Sequence, residues 1–163
     1  MLLDLSKIKQ VPLSESQYIK EVTTKKQIVL HHTAGNSSGV GILDKLAIGI
    51  EICSWGPLDK VGDKFYNYVD REVSADQVTK LDKPYKGHLY YHAYTDAQIE
   101  SVRQLLVYWN RIHGIPLQYN EDIWVVSDRA LKGEAGVFTH NSYRKDKTDI
   151  HPCPRMINML KTL

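Results

Sequence analysis

The sequence predicts an α/β fold: a single domain over residues 1–163 with a mixed central β-sheet flanked by α-helices. Three observations carry that expectation. Short apolar runs of strand type occur at 28–30, 46–53 and 137–140, an amphipathic helical pattern fills 96–113, and the two kinds of element are interleaved along the chain. A chain of 163 residues is long enough to bury a sizeable core as one domain.

Taken in order, residues 1–26 read as irregular, with polar punctuation and Pro12. Ile28, Val29 and Leu30 form a short buried strand, and "AGNSSGVG" (34–41) is a loop by composition. "LAIGIEIC" (46–53) is the second clear strand. Its alternation sets Ile48, Ile50 and Ile52 on one face and Ala47, Gly49, Glu51 and Cys53 on the other, a tight face on which a glutamate is unusual. "SWGPL" turns the chain, and "KFYNYV" (64–69) is a third strand candidate near a sheet edge. The best helix is 96–113: Thr95 caps it, Gln98 completes a capping box, and Gly114 and Pro116 stop it. Ile99, Val102, Leu106 and Trp109 form its apolar stripe, broadened by Leu105 and Ile112. "DIWVVS" reads as a short strand or a helical turn, "ALKGEAG" as a loop, and "VFTH" (137–140) as a strand ending in histidine. A last helix starts near Pro154 and turns Met156, Ile157 and Leu160 inward.

Composition narrows the functional classes. A net charge of +2 and the lack of a Lys/Arg block argue against a nucleic-acid partner, while slight basicity is compatible with an anionic surface such as a cell wall. No apolar run is long enough for membrane insertion. The N-terminus "MLLDLSKIKQ" does not read as a signal peptide, so synthesis in the cytoplasm is expected. Cys53 and Cys153 do not make a disulfide framework, and a reduced pair is the default.

The chemistry gathers where strands end. His31 (followed by His32) and His140 each close a short strand, and "RKDKTDIHPCP" (144–154) soon brings carboxylates, a lysine and further candidate ligands. A catalytic zinc needs about three protein ligands and one open position, and imidazole and carboxylate suit it. His31, His140 and Asp149 make such a set, with Cys153 a rival third ligand because thiolate binds zinc well. Plainer readings stand beside these. Histidines at a strand end are commonly hydrogen-bonded structural residues, Asp149 can cap the last helical region, Lys147 can be a solvated charge, and Glu51 can be salt-bridged. His88, His92 and His113 read as surface or helix-flank residues.

"QIVLHHTAGN", "LAIGIEICSWGPL" and "GVFTHNSYRKDKTDIHPCP" together resemble the zinc-dependent N-acetylmuramoyl-L-alanine amidases, the superfamily of phage lysozyme-type amidases and peptidoglycan recognition proteins. The aromatic-rich "PYKGHLYYHAYTDAQIESVRQLLVYW" is similar to the helix region of phage and prophage members. The resemblance implies one Zn2+ held by His31, His140 and Asp149, the last position being carboxylate in some branches and cysteine in others. It matches Glu51 to the family's catalytic acidic residue and Lys147 to its functional lysine; chemically, Glu51 suits the general base, Lys147 the group that stabilises the oxyanion, His32 and Thr33 groups that orient the ligands, and the Arg144 guanidinium suits bidentate pairing with a stem-peptide carboxylate. The implied partner is peptidoglycan, cut between N-acetylmuramic acid and L-alanine by a monomeric phage or prophage endolysin acting at the bacterial cell wall. The alternative is a module that binds muropeptide without cutting it.

One stretch departs from the family pattern. Only "NSSGVGILDK" (36–45) joins the first histidine motif to the "IGIE" strand, where members place further elements that line the groove. A contiguous segment missing from the sequence is expected, rather than a compact variant, along with an uncovered sheet edge prone to self-association.

Overall fold

The computed structural model describes residues 4–7, 9–11, 14, 23–32 and 47–163. The short 36–45 connection and Thr33 therefore lie outside the described residues. The strands are β1 (Gln27–His32), β2 (Ala47–Ile52), β3 (Pro57–Val61), β4 (Lys64–Tyr66), β5 (Glu72–Val73), β6 (Val78–Tyr85), β7 (His88–His92) and β8 (Gly136–Thr139). Among the described residues the α-helices are α1 (Asp96–His113), α2 (Asp128–Leu131) and α3 (Pro154–Lys161).

The expected α/β class holds, and its parallel and antiparallel pairings are divided between two sheets. Strands β2, β1 and β8 form a parallel sheet in that order, and β5, β4, β3, β7 and β6 form an antiparallel one. Strand β1 is central, and Ile28, Val29 and Leu30 are all less than 5% exposed, as befits a parallel strand covered on both faces. Ile28, Leu30, Ile50, Ile52 and Val137 share one core with Ile99, Val102 and Leu106 of α1 and Met156, Met159 and Leu160 of α3. Each such side chain taken from water contributes about 1.5–3 kcal/mol.

Helix α1 has the start and stop that its sequence encodes. Thr95 Oγ1 accepts the Gln98 N–H at 3.2 Å, Gln98 Oε1 accepts the Thr95 N–H at 2.9 Å, and Gly114 closes the helix at φ 67°. Gln98 also donates from Nε2 to the Cys53 carbonyl at 2.7 Å, tying the helix start to the segment after β2.

Several expectations are corrected. Ile112 is 55% exposed, so the inward stripe of α1 stops short of it, whereas Trp109 and Leu105 pack against the core. The expected strand 64–69 ends at Tyr66, where Asn67 opens a turn; its expected place near a sheet edge holds, since β4 lies beside the edge strand β5. Of the two readings of "DIWVVS", the helical turn holds, as a 3-10 turn over Glu121–Trp124, whereas the loop expected from Ala130 begins inside α2. His92 is half-buried in β7 rather than at the surface. No described helix is long and apolar enough to cross a membrane.

Candidate metal centre

The parallel sheet places the site by register. His31 pairs with Glu51 across β1 and β2, and Leu30 pairs with Thr139 across β1 and β8, so His140 follows one step beyond Thr139. Alternation sets Gln27, Val29 and His31 on the face opposite Ile28 and Leu30. Three neighbouring strands thus deliver His31, Glu51 and His140 at their carboxyl ends, where open α/β sheets bind ligands.

Asp149 arrives from a loop, and two devices hold it there. Asn141, fully buried one residue after His140, donates its Nδ2 to the carbonyls of Asp149 at 2.5 Å and Ile150 at 3.2 Å. His151, 1% exposed, stacks between Tyr91 and Tyr94 with ring centroids 4.3 and 4.8 Å away. Between them, Ile150 is fully buried at φ 44°, a left-handed conformation that costs a β-branched residue about 1–3 kcal/mol. The packing around the loop therefore imposes the backbone path that presents Asp149.

The result is a compact donor set. His31, His140 and Asp149 each offer a ligand atom, and these atoms lie within 4.8 Å of one another. His140 Nδ1 is 2.7 Å and His31 Nδ1 is 3.5 Å from Asp149 Oδ2, and the imidazole centroids are 4.7 Å apart. The three side chains are 19–21% exposed, so the cluster is anchored in the fold but open to solvent. Two imidazoles and a carboxylate at this spacing could hold a metal ion.

The other expected residues take different places. Glu51 Oε1 lies 3.9 Å from His31 Nδ1, at the edge of the cluster, and its side chain is 51% exposed. The tight small-residue face expected around it is instead open: Gly49 is exposed, and a β-carbon built there meets nothing within 4 Å. The reason is that β2 is an edge strand of the described sheet. Lys147 is half-buried two residues before Asp149 and makes no ion pair among the described residues. Arg144 is engaged by Asp146, with Nη2–Oδ2 at 2.7 Å. Cys153, the rival ligand, is 1% exposed in the hydrophobic core, and neither cysteine is in a disulfide.

Asn141 and His151 are the residues that sequence reasoning missed. Each directly follows one of the clustered ligands or lies two positions from it, which is the only signal the sequence carries for them. No protein-family model, curated protein or solved structure matches the chain.

Proposed function

We propose that this chain is a zinc-dependent N-acetylmuramoyl-L-alanine amidase that hydrolyses the amide between the lactyl group of N-acetylmuramic acid and the L-alanine of the stem peptide. The observation that carries the reading is the convergence of His31, His140 and Asp149 at the strand ends, with Glu51 beside them. Those are the residues that the resemblance of the three motifs singles out.

In this reading His31, His140 and Asp149 hold the zinc, for which a mixed imidazole and carboxylate set is suited. Bound there, the ion supplies Lewis acidity, making water more acidic and polarising an amide carbonyl. The chain's own residues do the rest. Glu51, exposed and next to His31, takes the proton of the attacking water and hands it to the leaving amine. Lys147, on the loop that leads to Asp149, offers its ammonium to the developing oxyanion. Asn141 and the Tyr91–His151–Tyr94 stack keep the Asp149 loop in place. The protein then acts at the bacterial wall as an endolysin of phage or prophage type.

The test is digestion of purified sacculi followed by mass analysis of the soluble products. Released stem peptides that begin with a free L-alanine amine support the reading. Release of sugars with new reducing ends, or tight sedimentation with sacculi without any release, overturns it in favour of a glycosidase or of a binding module.

A further inference from the structure

The loop that brings Asp149 to the cluster is held at its inner end by Asn141 and His151. Its outer end, from Arg144 to Lys147, is a braced turn of its own. The Lys147 N–H donates to the Arg144 carbonyl at 3.5 Å, and Arg144 donates from Nε and Nη2 to Asp146 at 3.1 and 2.7 Å. Lys145 sits inside this turn, and Lys147 leads from it to Thr148 and Asp149. The placement of the Lys147 ammonium therefore depends on what ties the turn to the rest of the molecule.

A tie comes from the antiparallel sheet. Lys86 Nζ donates to the Lys145 carbonyl at 2.7 Å, joining residues 59 apart in the chain. Lys86 is half-buried at the tip of the β6–β7 hairpin, where Tyr85 pairs with His88 and Lys86 and Gly87 make the turn. Their φ angles are 50° and 85°, the positive pair of a type I′ turn. Asparagine, aspartate or glycine favours the first of these positions, and lysine does not. An outlier of this kind points to a use for the side chain. What lysine adds is reach: a four-carbon stem with a mobile ammonium at its end.

The platform under that reach is firm. The Lys86 ammonium lies 5.9 Å from the centroid of the Tyr85 ring, and the Tyr85 hydroxyl donates to the Trp124 carbonyl at 2.7 Å. Tyr91, which stacks on His151, donates its hydroxyl to the Tyr85 carbonyl. The hairpin that carries Lys86 is thus fixed to the body that carries the cluster.

We propose that Lys86 is a positioning residue, which clamps the 144–147 turn and so aims the Lys147 ammonium at the site. Lys86 is not one of the clustered ligands and acts through Lys147. The work of Lys147 on the oxyanion rests on the amidase reading, whereas the clamp does not.

Lys86→Asn is the variant that tests it, because asparagine suits the left-handed turn better than lysine and cannot reach Lys145. Lys86→Arg keeps the reach and the charge. The turn offers trypsin three basic residues, Arg144, Lys145 and Lys147, and fragment masses report where the full chain is first nicked. Lys86→Asn is expected to keep its melting temperature and metal content and to be nicked within 144–147 about fivefold faster than the parent, with other sites unchanged. On sacculi its kcat should fall by about tenfold at nearly unchanged KM. Lys86→Arg should restore both. In a Lys147→Met background, Lys86→Asn should change kcat by less than about twofold, since the side chain it places is gone. Nicking at the parent's rate in Lys86→Asn overturns the clamp, and leaves Lys86 a turn residue only. Faster nicking with unchanged kcat, or an undiminished loss of kcat in the Lys147→Met background, overturns the route through Lys147. A parent that releases no stem peptide from sacculi sinks the amidase reading by itself, and the nicking rates still decide the clamp.

Discussion

His140 Nδ1 lies 2.7 Å from Asp149 Oδ2, a contact between residues nine apart that closes the loop leading back from β8. His31 approaches the same oxygen at 3.5 Å from the neighbouring strand. One carboxylate oxygen therefore faces two imidazoles, and removing any one member takes away a third of the donor set. His140→Ala is expected to lose bound metal, while the parent protein, purified without added zinc, carries about one zinc per chain. Elemental analysis of both proteins at equal concentration checks this. Equal metal in the two would show that the ion, if present, is held elsewhere.

Asn141 is expected to matter for the metal without touching it. Its two hydrogen bonds to the carbonyls of Asp149 and Ile150 fix a backbone that includes the left-handed Ile150. Asn141→Ala frees that loop to relax, and groups that orient metal ligands in this way typically control affinity by about 10–100-fold. Competition with a zinc chelator should show a drop of that size in Asn141→Ala, with far-UV circular dichroism unchanged. An unaltered affinity would mean that the Tyr91–His151–Tyr94 stack alone holds the loop.

Glu51 separates binding from chemistry. It is half exposed and 3.9 Å from His31, close enough to serve a water beside the cluster and outside the set of three ligands. Glu51→Gln keeps the size of the side chain but cannot take up a proton. It is expected to retain full metal content and to lose about 10²–10⁴-fold in the rate of amide cleavage. Turnover within twofold of the parent would move the base elsewhere in the site.

The parts legible in the sequence are those whose signals are local. The strand pattern of Ile28–Leu30, the alternation of 46–53, the capping box at Thr95 and Gln98, and Pro154 at the start of α3 each encode their element within a few residues. The antiparallel sheet is harder to read. In β6, "VTKLDKPY" buries only Leu81 fully, and β3 buries only Leu58, so neither shows a sustained apolar face. In β7, "HLYYH" runs close ahead of the strong α1 pattern, and the segment resembles the start of a helical region. The donor set that could hold an ion was legible as candidates because histidines close two strands and possible ligands, Asp149 and Cys153 among them, follow soon after the second. Asn141 and His151 were not, because their roles depend on where the loop returns in space, and Ile150 has no sequence feature that announces a left-handed backbone.

The turn that backs β8 has a pH-dependent anchor. Asp122 accepts hydrogen bonds from Arg129 Nε at 3.0 Å and Nη2 at 2.8 Å and from Ser127 Oγ at 2.6 Å. Its neighbour Ile123 offers its carbonyl to Ser142 Oγ at 2.9 Å, so this turn supports the segment that carries His140. The Arg129 guanidinium is the main cause that holds the Asp122 carboxyl below its ordinary value, with Ser127 assisting against partial desolvation. A carboxyl lowered in the folded state stabilises the fold above its unfolded value near 4, and that contribution is lost as pH falls through the lowered value. The pair is about one-third exposed, so solvent screening limits it to roughly 1 kcal/mol or less. Asp122→Asn is therefore expected to be less stable than the parent by a constant amount from about pH 5 to neutrality, with the gap closing below about pH 4. Urea unfolding of both proteins across that range measures the difference directly, and a gap that widens on acidification would assign the stabilising charge to another group.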